Sequence, residues 1–282
     1  GNSIGDHLEF ALKYEIFDLL CIKKIMIAIP KEEILGFVKT APKGKQTRRA
    51  WFLYETLTGE KLDLDDLSGI TTINLLDEKK YITNTNGDTS KRHRIRNNLL
   101  GTPRCCPVIR RTKKIQDAMD ENLSDKTEEI IGQVSKQLIA RAANFLLLSD
   151  TQASFAIEGE APPRNRLERW GKAVSEAGKN DLSLQEITRL HRVLIKDNRF
   201  IPIGLREEEV FLGERDSQNN PLPEFIGAKH TELKKLIDGF LELDKKLQHS
   251  EVCPVLQATA LAFCFVYIHP LADGNGRLHR YL

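Results

Sequence analysis

Long hydrophobic runs are missing from this sequence. The longest, Leu261 to Ile268, falls far short of the roughly 20 residues that a membrane helix needs. No secretion signal is visible either: Ile25 to Ile29 is too short for the apolar part of a leader, and Lys23-Lys24 interrupts what precedes it. Charge of one sign is not in excess. The 42 Lys+Arg against 40 Asp+Glu leave a formal charge of +2, which gives no reason to expect an acidic tail, a polybasic membrane anchor or a dedicated nucleic-acid coat. Cysteine is sparse, with five residues, an odd number, and no CxxC spacing. Cys105 and Cys106 are neighbours, a poor geometry for a mutual disulfide. A disulfide framework and a zinc ribbon are therefore not expected, and a reducing, cytoplasmic setting is. What remains, with 40% hydrophobic residues over 282 positions and a negative mean hydropathy, is a globular chain of one large domain or two small ones.

The pattern along the chain is mainly helical. Residues 6–82 read as mostly helix, with Trp51, Phe52, Tyr54 and Leu57 on one apolar face and Gly59 as a C-cap. Thr83 to Lys114 breaks the texture, first with turn-forming residues up to Asp88 and then with the basic cluster Lys91-Arg92-His93-Arg94-Ile95-Arg96. Ile131, Val134, Leu138, Ala142 and Phe145 recur at helical spacing over a long segment without proline. Ser183 with Glu186 predicts a capping box for a helix carrying Leu184, Ile187, Leu190 and Leu194. Leu233, Leu236, Ile237, Phe240 and Leu243 make a further amphipathic stripe. Between these two helices, Ile201 to Pro223 suits a short hairpin. Trp51 and Trp170 are core candidates, and His191, flanked by Leu190 and Leu194, reads as structural. His93 reads as part of a solvated or internally paired face, and His279 carries no assignment.

Pro254 to Ile268 is apolar almost all round, which predicts a helix buried on every side with Pro254 in its first turn. His269-Pro270 should end it, because the residue before proline avoids the α region. There follows Leu271-Ala272-Asp273-Gly274-Asn275-Gly276-Arg277-Leu278-His279-Arg280. Gly274 and Gly276 allow positive φ and close backbone approach, and N–H groups at a helix start favour an anion. Arg277 and Arg280, three apart, can grip a polyphosphate from one helix face. Asp273 is an oxygen ligand of the kind Mg²⁺ takes beside phosphate, and His269 titrates near neutrality and can accept a proton from a hydroxyl. An Asp-Gly-Asn-Gly stretch alone is also an ordinary tight turn. The full set of residues is what points to phosphoryl-type transfer.

The twelve residues from His269 to Arg280 resemble the signature of the Fic-domain family, HPFxDGNGRxxR, with Leu271 in place of the phenylalanine. The resemblance implies a Fic-type helical core with a β-hairpin flap, preceded by a helical accessory region such as larger bacterial members carry. It divides the chain into an accessory region at 1–114 and a core at 115–282. By the same resemblance the core holds an inhibitory helix at about 140–160, a flap at about 201–223 and the catalytic motif at 269–280. It further implies transfer of AMP from ATP onto a hydroxyl of a target protein. In that scheme His269 is general base, Asp273 the Mg²⁺ ligand, and Gly274, Asn275 and Gly276 the phosphate nest, with Arg277 and Arg280 holding phosphates.

Ser154-Phe155-Ala156-Ile157-Glu158-Gly159 resembles the family's inhibitory pattern (S/T)xxxE(G/N), which implies that Ser154 and Glu158 act on Arg280. Gly204-Leu205-Arg206 and Val210-Phe211-Leu212-Gly213 resemble the flap, whose edge takes up the target segment as an added strand. Arg48 to Glu55 and Arg92 to Asn98 resemble the accessory region. The family usually continues past the motif, whereas this chain ends at Leu282 and begins with glycine, so a truncated fragment is expected. A different nucleotide donor or AMP removal stays open within the same fold. So does a nucleic-acid-binding regulator with a vestigial loop, although the intact His269 and Asp273 argue against it. The partner expected is a protein docked by the flap; a homo-oligomer is left open, and neither nucleic acid nor membrane is expected.

Overall fold

Ser3 and Asp6 open the first helix by a reciprocal cap: the Ser3 side chain accepts from the Asp6 N–H at 3.1 Å, and Asp6 returns the bond to Ser3 at 3.2 Å. The structure, a computed structural model, describes residues 3–121, 123–132, 134–195 and 201–282. The chain forms two units, Gly1–Lys113 with Lys245–Val252, and Lys114–Asp244 with Cys253–Leu282. It is mainly α, as the sequence pattern predicts, with a short sheet in the first unit and a hairpin in the second. Among the described residues no helix is long and apolar enough to cross a membrane, and all five cysteines are free thiols.

In the first unit α1 (Ile4–Tyr14), α2 (Leu19–Ala28) and α3 (Lys31–Thr40) pack with α4 (Lys45–Thr58) around Met26, Ile34, Val38, Trp51 and Leu53. Gly59, at φ +79°, ends α4 in the left-handed conformation that glycine accepts without penalty. The sequence pattern extends helix to residue 82, but helix stops at Thr58. Beyond it lie irregular chain and two-residue strands, β1 (Ile73–Asn74), β2 (Thr89–Ser90) and β3 (Ile95–Arg96), ordered β1-β3-β2 with β1 parallel and β2 antiparallel to β3.

Arginine side chains do the work that a helical ladder does elsewhere. Buried Arg48 donates from Nε to the His93 carbonyl at 3.1 Å and from Nη2 to those of Thr71, at 3.0 Å, and Arg94. Arg49 donates to the Asn74 carbonyl, and Arg92 to those of Leu62 and Leu64 at 2.8 and 2.7 Å. Buried carbonyls must find donors somewhere, and here the basic cluster supplies them.

Glu55 is the counter-charge. It pairs with Arg92 at 2.9 Å, accepts from Trp51 Nε1 at 2.7 Å and the Leu62 N–H at 2.9 Å, and lies 3.1 Å from His93 Nε2. Burial pushes its pKa up, but the Arg92, Trp51 and Leu62 hydrogen bonds outweigh that and hold it at about 2. A depressed carboxyl pKa stabilises above the unfolded value and ceases to do so as pH falls through the folded one. Tryptophan fluorescence on acid titration should therefore show this unit losing stability from about pH 4.5 towards pH 2, and Glu55→Gln should flatten that dependence.

The second unit begins at the start of α5 (Lys113–Asp120) and continues with α6 (Leu123–Gly132), α7 (Lys136–Ile157), α8 (Arg164–Ser175) and α9 (Leu184–Leu194). A hairpin of β4 (Phe211–Arg215) and β5 (Pro221–Ile226) follows. The unit ends with α10 (Leu233–Gln248), whose last turn from Lys245 belongs to the first unit, then α11 (Pro254–Ile268) and α12 (Asn275–His279). Phe155, Trp170, Ile187, Leu190, Phe240 and Phe265 are its buried centre.

Four sequence expectations need correction here. The apolar spacing from Ile131 to Phe145 is not one helix: Ser135 caps a fresh start at α7, and Ile131, Leu138 and Phe145 are exposed. α11 is not buried on every side, since Val255, Phe263 and Tyr267 face outward. Ser183 caps α9, but Glu186 does not close the box; its carboxylate goes to Arg189 at 2.7 Å and to Asn180. The hairpin strands lie at 211–215 and 221–226, so the hairpin ends a few residues later than the sequence indicates.

Candidate active site

α11 delivers His269 to the site. Pro254 opens the helix at its first position, and His269 closes it at φ +53°, ψ +60°, its N–H bonded to the Phe265 carbonyl at 3.0 Å. That left-handed backbone is unusual for histidine. Arg206 holds it in place: 4% exposed, it donates from Nε to the His269 carbonyl at 2.8 Å, from Nη1 to Glu208 at 2.5 Å and from Nη2 to Ala228, while its own N–H reaches the Pro270 carbonyl at 2.9 Å. The imidazole is buried, with Nδ1 3.3 Å from the Val266 carbonyl, which fixes the N–H on Nδ1 and leaves the lone pair on Nε2. Burial lowers its pKa, helped by the Arg206 charge and opposed by the Val266 carbonyl and Glu158. The ring is therefore neutral at pH 7.

The loop beyond is stapled by Asn275. Its Nδ2 donates to the Leu271 carbonyl at 2.8 Å, and its Oδ1 accepts from the Leu271 N–H at 3.0 Å. That side chain is committed to the loop itself, so only its backbone is left for a ligand. Leu271 is fully buried, filling the position where the family signature has phenylalanine. Gly274 caps α12 at φ +86°, and a Cβ there would lie 2.6 Å from the Leu194 side chain. His191, also fully buried, accepts from the Gly204 N–H at 3.1 Å and lies beside Gly274, which makes it a support of the loop.

The charged groups meet in two sets. Arg280 donates to the Ser154 hydroxyl at 2.8 Å, to its carbonyl at 2.9 Å and to Glu158 Oε1 at 2.7 Å. Glu158 is the C-cap of α7 and lies so close over Gly276 that any side chain at 276 would collide with its carboxylate. Arg277 is 1% exposed, donates to Asp273 Oδ1 at 2.9 Å and pairs with Glu160. Arg277 and Arg280 thus go to different partners rather than forming one open face. Asp273 Oδ1 also accepts from the Gly274 N–H at 2.5 Å, and its side chain is 42% exposed, with Oδ2 engaged by neither donor. Among the described residues no three His, Cys, Asp or Glu side chains gather into a metal cage. A single half-exposed carboxylate is a donor of the kind Mg²⁺ takes, since that ion draws most of its shell from water and phosphate oxygens.

The hairpin is tied to the same place. Gly227 N–H bonds to the Val210 carbonyl at 3.0 Å, and Ala228 N–H to that of Ile268 at 3.2 Å, one residue before His269. Phe211 pairs with Ile226, a bulge falls between Leu212 and Gly213, and Gly213 at φ +142° sits hard against the Leu222 carbonyl. β5 carries Pro221 and Pro223, which have no N–H to offer, so β4 presents the better edge for an added strand.

Of the residues read from the sequence, His269, Asp273, Arg277 and Arg280 lie around one loop, Ser154 and Glu158 against it, and Val210 near His269 through Gly227, while Phe211, Leu212 and Gly213 run on into the hairpin. Glu160 has no counterpart in the sequence reading, and Arg206 enters that reading only within the Gly204-Leu205-Arg206 resemblance to the flap, not as the support of His269; each acts on a partner more than 60 positions away in the chain. Residues 181–282 match the family model described as Fic/DOC family. That span contains the hairpin and the His269–Arg280 loop; Ser154, Glu158 and Glu160 lie outside it. No curated protein matches the chain.

Proposed function

We propose that the chain is an auto-inhibited protein adenylyltransferase, moving AMP from ATP to a hydroxyl side chain of a target protein. One observation carries the reading. A neutral histidine sits at the rim of a Gly274–Gly276 loop whose two arginines are neutralised by carboxylates of the protein itself, so the site has the charge pattern of a polyphosphate pocket filled by its own anions. In the reaction the target hydroxyl oxygen attacks the α-phosphorus, and His269 Nε2 accepts its proton. The new P–O bond forms as the bond from the α-phosphorus to the bridging oxygen breaks, and pyrophosphate leaves. Arg277 and Arg280 hold the β- and γ-phosphates, and the N–H groups of Asn275 and Gly276, at the start of α12, face the oxygens between them, while Gly274, its own N–H turned to Asp273, shapes the loop. Mg²⁺ held by Asp273 supplies charge neutralisation across the phosphates when bound. β4 takes the target segment as an added strand, which sets its hydroxyl beside His269.

The test is incubation of the purified chain and its Glu158→Gly variant with radiolabelled ATP and a cell lysate. Label on protein from the α-phosphate position, and none from the γ position, is the expected result. Label from γ, or none from either, would set the reading aside. Asp273→Asn keeps an acceptor for Arg277 but holds a divalent ion poorly. Its nucleotide affinity should be almost insensitive to Mg²⁺, whereas wild-type affinity should rise with it; matching titrations would remove Asp273 from the metal role.

A further inference from the structure

Glu160 lies just past the turn at Gly159, where φ is +72°. Its carboxylate is divided between two arginines, with Oε2 2.6 Å from Arg166 Nη1 and Oε1 on Arg277. Arg277 is enclosed at both ends of its fork, by Asp273 from its own loop and by Glu160 from the segment joining α7 to α8. Its Nε is buried without a hydrogen-bond partner, so the guanidinium has donor capacity that these two carboxylates do not use. The Phe155 ring lies against both arginines, its centroid 4.9 Å from the Arg166 guanidinium and 5.2 Å from that of Arg277, and its carbonyl accepts the N–H of Glu160 as well as that of Glu158. The two glutamates therefore flank one glycine and hang on one residue, yet each covers a different arginine.

We propose that Glu160 is a second autoinhibitory carboxylate, closing Arg277 to nucleotide phosphate as Glu158 closes Arg280. The proposal rests on the nucleotide-transfer reading above. A simple brace is the competing role, and the contacts weigh against it. Asp273, four residues back on the same loop, already orients Arg277, and Arg166 is anchored independently on the Leu194 carbonyl at 3.0 and 3.2 Å. Glu160 adds to Arg277 mainly a negative charge, the charge an incoming phosphate must displace. Because both carboxylates hang on Phe155 and Gly159, displacing one loosens the hold of the other, and the two form a single latch at the end of α7.

The experiment measures MgATP affinity by calorimetry, and labelling by ATP, for the full chain as wild type, Glu158→Gly, Glu160→Gln and the double variant. Glu168→Gln, on the exposed face of α8, controls for loss of one negative charge. Glu160→Gln should bind MgATP more tightly by roughly 5- to 150-fold, the range of a coupling between two sites. The double variant should exceed either single one, and the control should match wild type. If Glu158→Gly tightens binding while Glu160→Gln equals wild type or weakens it with its melting temperature retained, Glu160 is a brace and the proposal falls. Should Glu160→Gln not fold, Glu160→Asp, one methylene shorter, keeps the charge but draws back from Arg277 and must give a smaller rise in the same direction. If Glu158→Gly itself binds no MgATP, the nucleotide reading fails first and takes this proposal with it.

Discussion

His269→Ala is expected to bind MgATP as wild type does and to transfer nothing measurable. The imidazole makes no bond to either arginine or to the Gly274–Gly276 loop; its contacts are the Val266 carbonyl through Nδ1 and the Phe265 carbonyl through its backbone N–H. The backbone contacts survive substitution, because Arg206 grips the residue by its carbonyl and not by its ring. What is lost is the Nε2 lone pair, and loss of a general base typically costs about 10²–10⁴-fold. The pH profile makes the same point from the other side. Burial lowers the His269 pKa, so the base stays deprotonated to lower pH than an exposed histidine, and activity should fall only below the ordinary range near 6.5. Single-turnover labelling beside a binding isotherm measures both properties. Wild-type labelling by the mutant, or loss of MgATP binding with the fold intact, would remove His269 from the base role.

The loop was legible in the sequence because its chemistry is contiguous. His269 through Arg280 carry the helix stop, the glycine turns and the charges within a dozen residues, and the structure needs only α11 and α12 to present them. The hairpin was legible for a related reason, since Gly213 and Asn219-Asn220 mark its bulge and turn locally. What could not be read was set at long range. Gly59 marks the end of α4 in the sequence, but helix does not resume between it and residue 82 because Arg48, Arg49 and Arg92 supply donors to the Thr71, Asn74 and Leu62 carbonyls that a helix would have satisfied within itself, and no periodicity announces that. The same bonds dispose of much of the basic cluster. Arg92 is spent on Glu55 and Asp66, Arg94 on the Leu67 carbonyl, and His93 is buried between Ser90 and Glu55. These side chains do not form an open surface for a phosphate backbone, so charge counted along the sequence overstated what they can offer to nucleic acid. Apolar spacing misled for α7 and α11, because periodicity finds a stripe without saying whether anything covers it.

Glu158→Gly should raise activity, and Ser154 is the reason it can do so cleanly. Arg280 is held by three contacts from α7, of which two, to the Ser154 hydroxyl and carbonyl at 2.8 and 2.9 Å, do not involve Glu158. Removing the carboxylate therefore leaves the guanidinium aimed as before while freeing the Nη2 donor now spent on Glu158 at 2.7 Å. The same substitution clears the space over Gly276 and takes a negative charge from beside the phosphates. Glycine is also cheap at this position. Glu158 is the C-cap of α7, outside the helical run, and the left-handed Gly159 that turns the chain is untouched. A hydrogen bond to a charged group is worth about 1.5–3 kcal/mol net, which converts to roughly 10- to 150-fold in the affinity of whatever replaces it. Labelling by Glu158→Gly should exceed wild type by about that factor at limiting ATP, and adding His269→Ala to the same chain should abolish it again. Equal or lower labelling by Glu158→Gly, with circular dichroism unchanged, would make Glu158 an ordinary helix-end carboxylate whose bond to Arg280 is structural only.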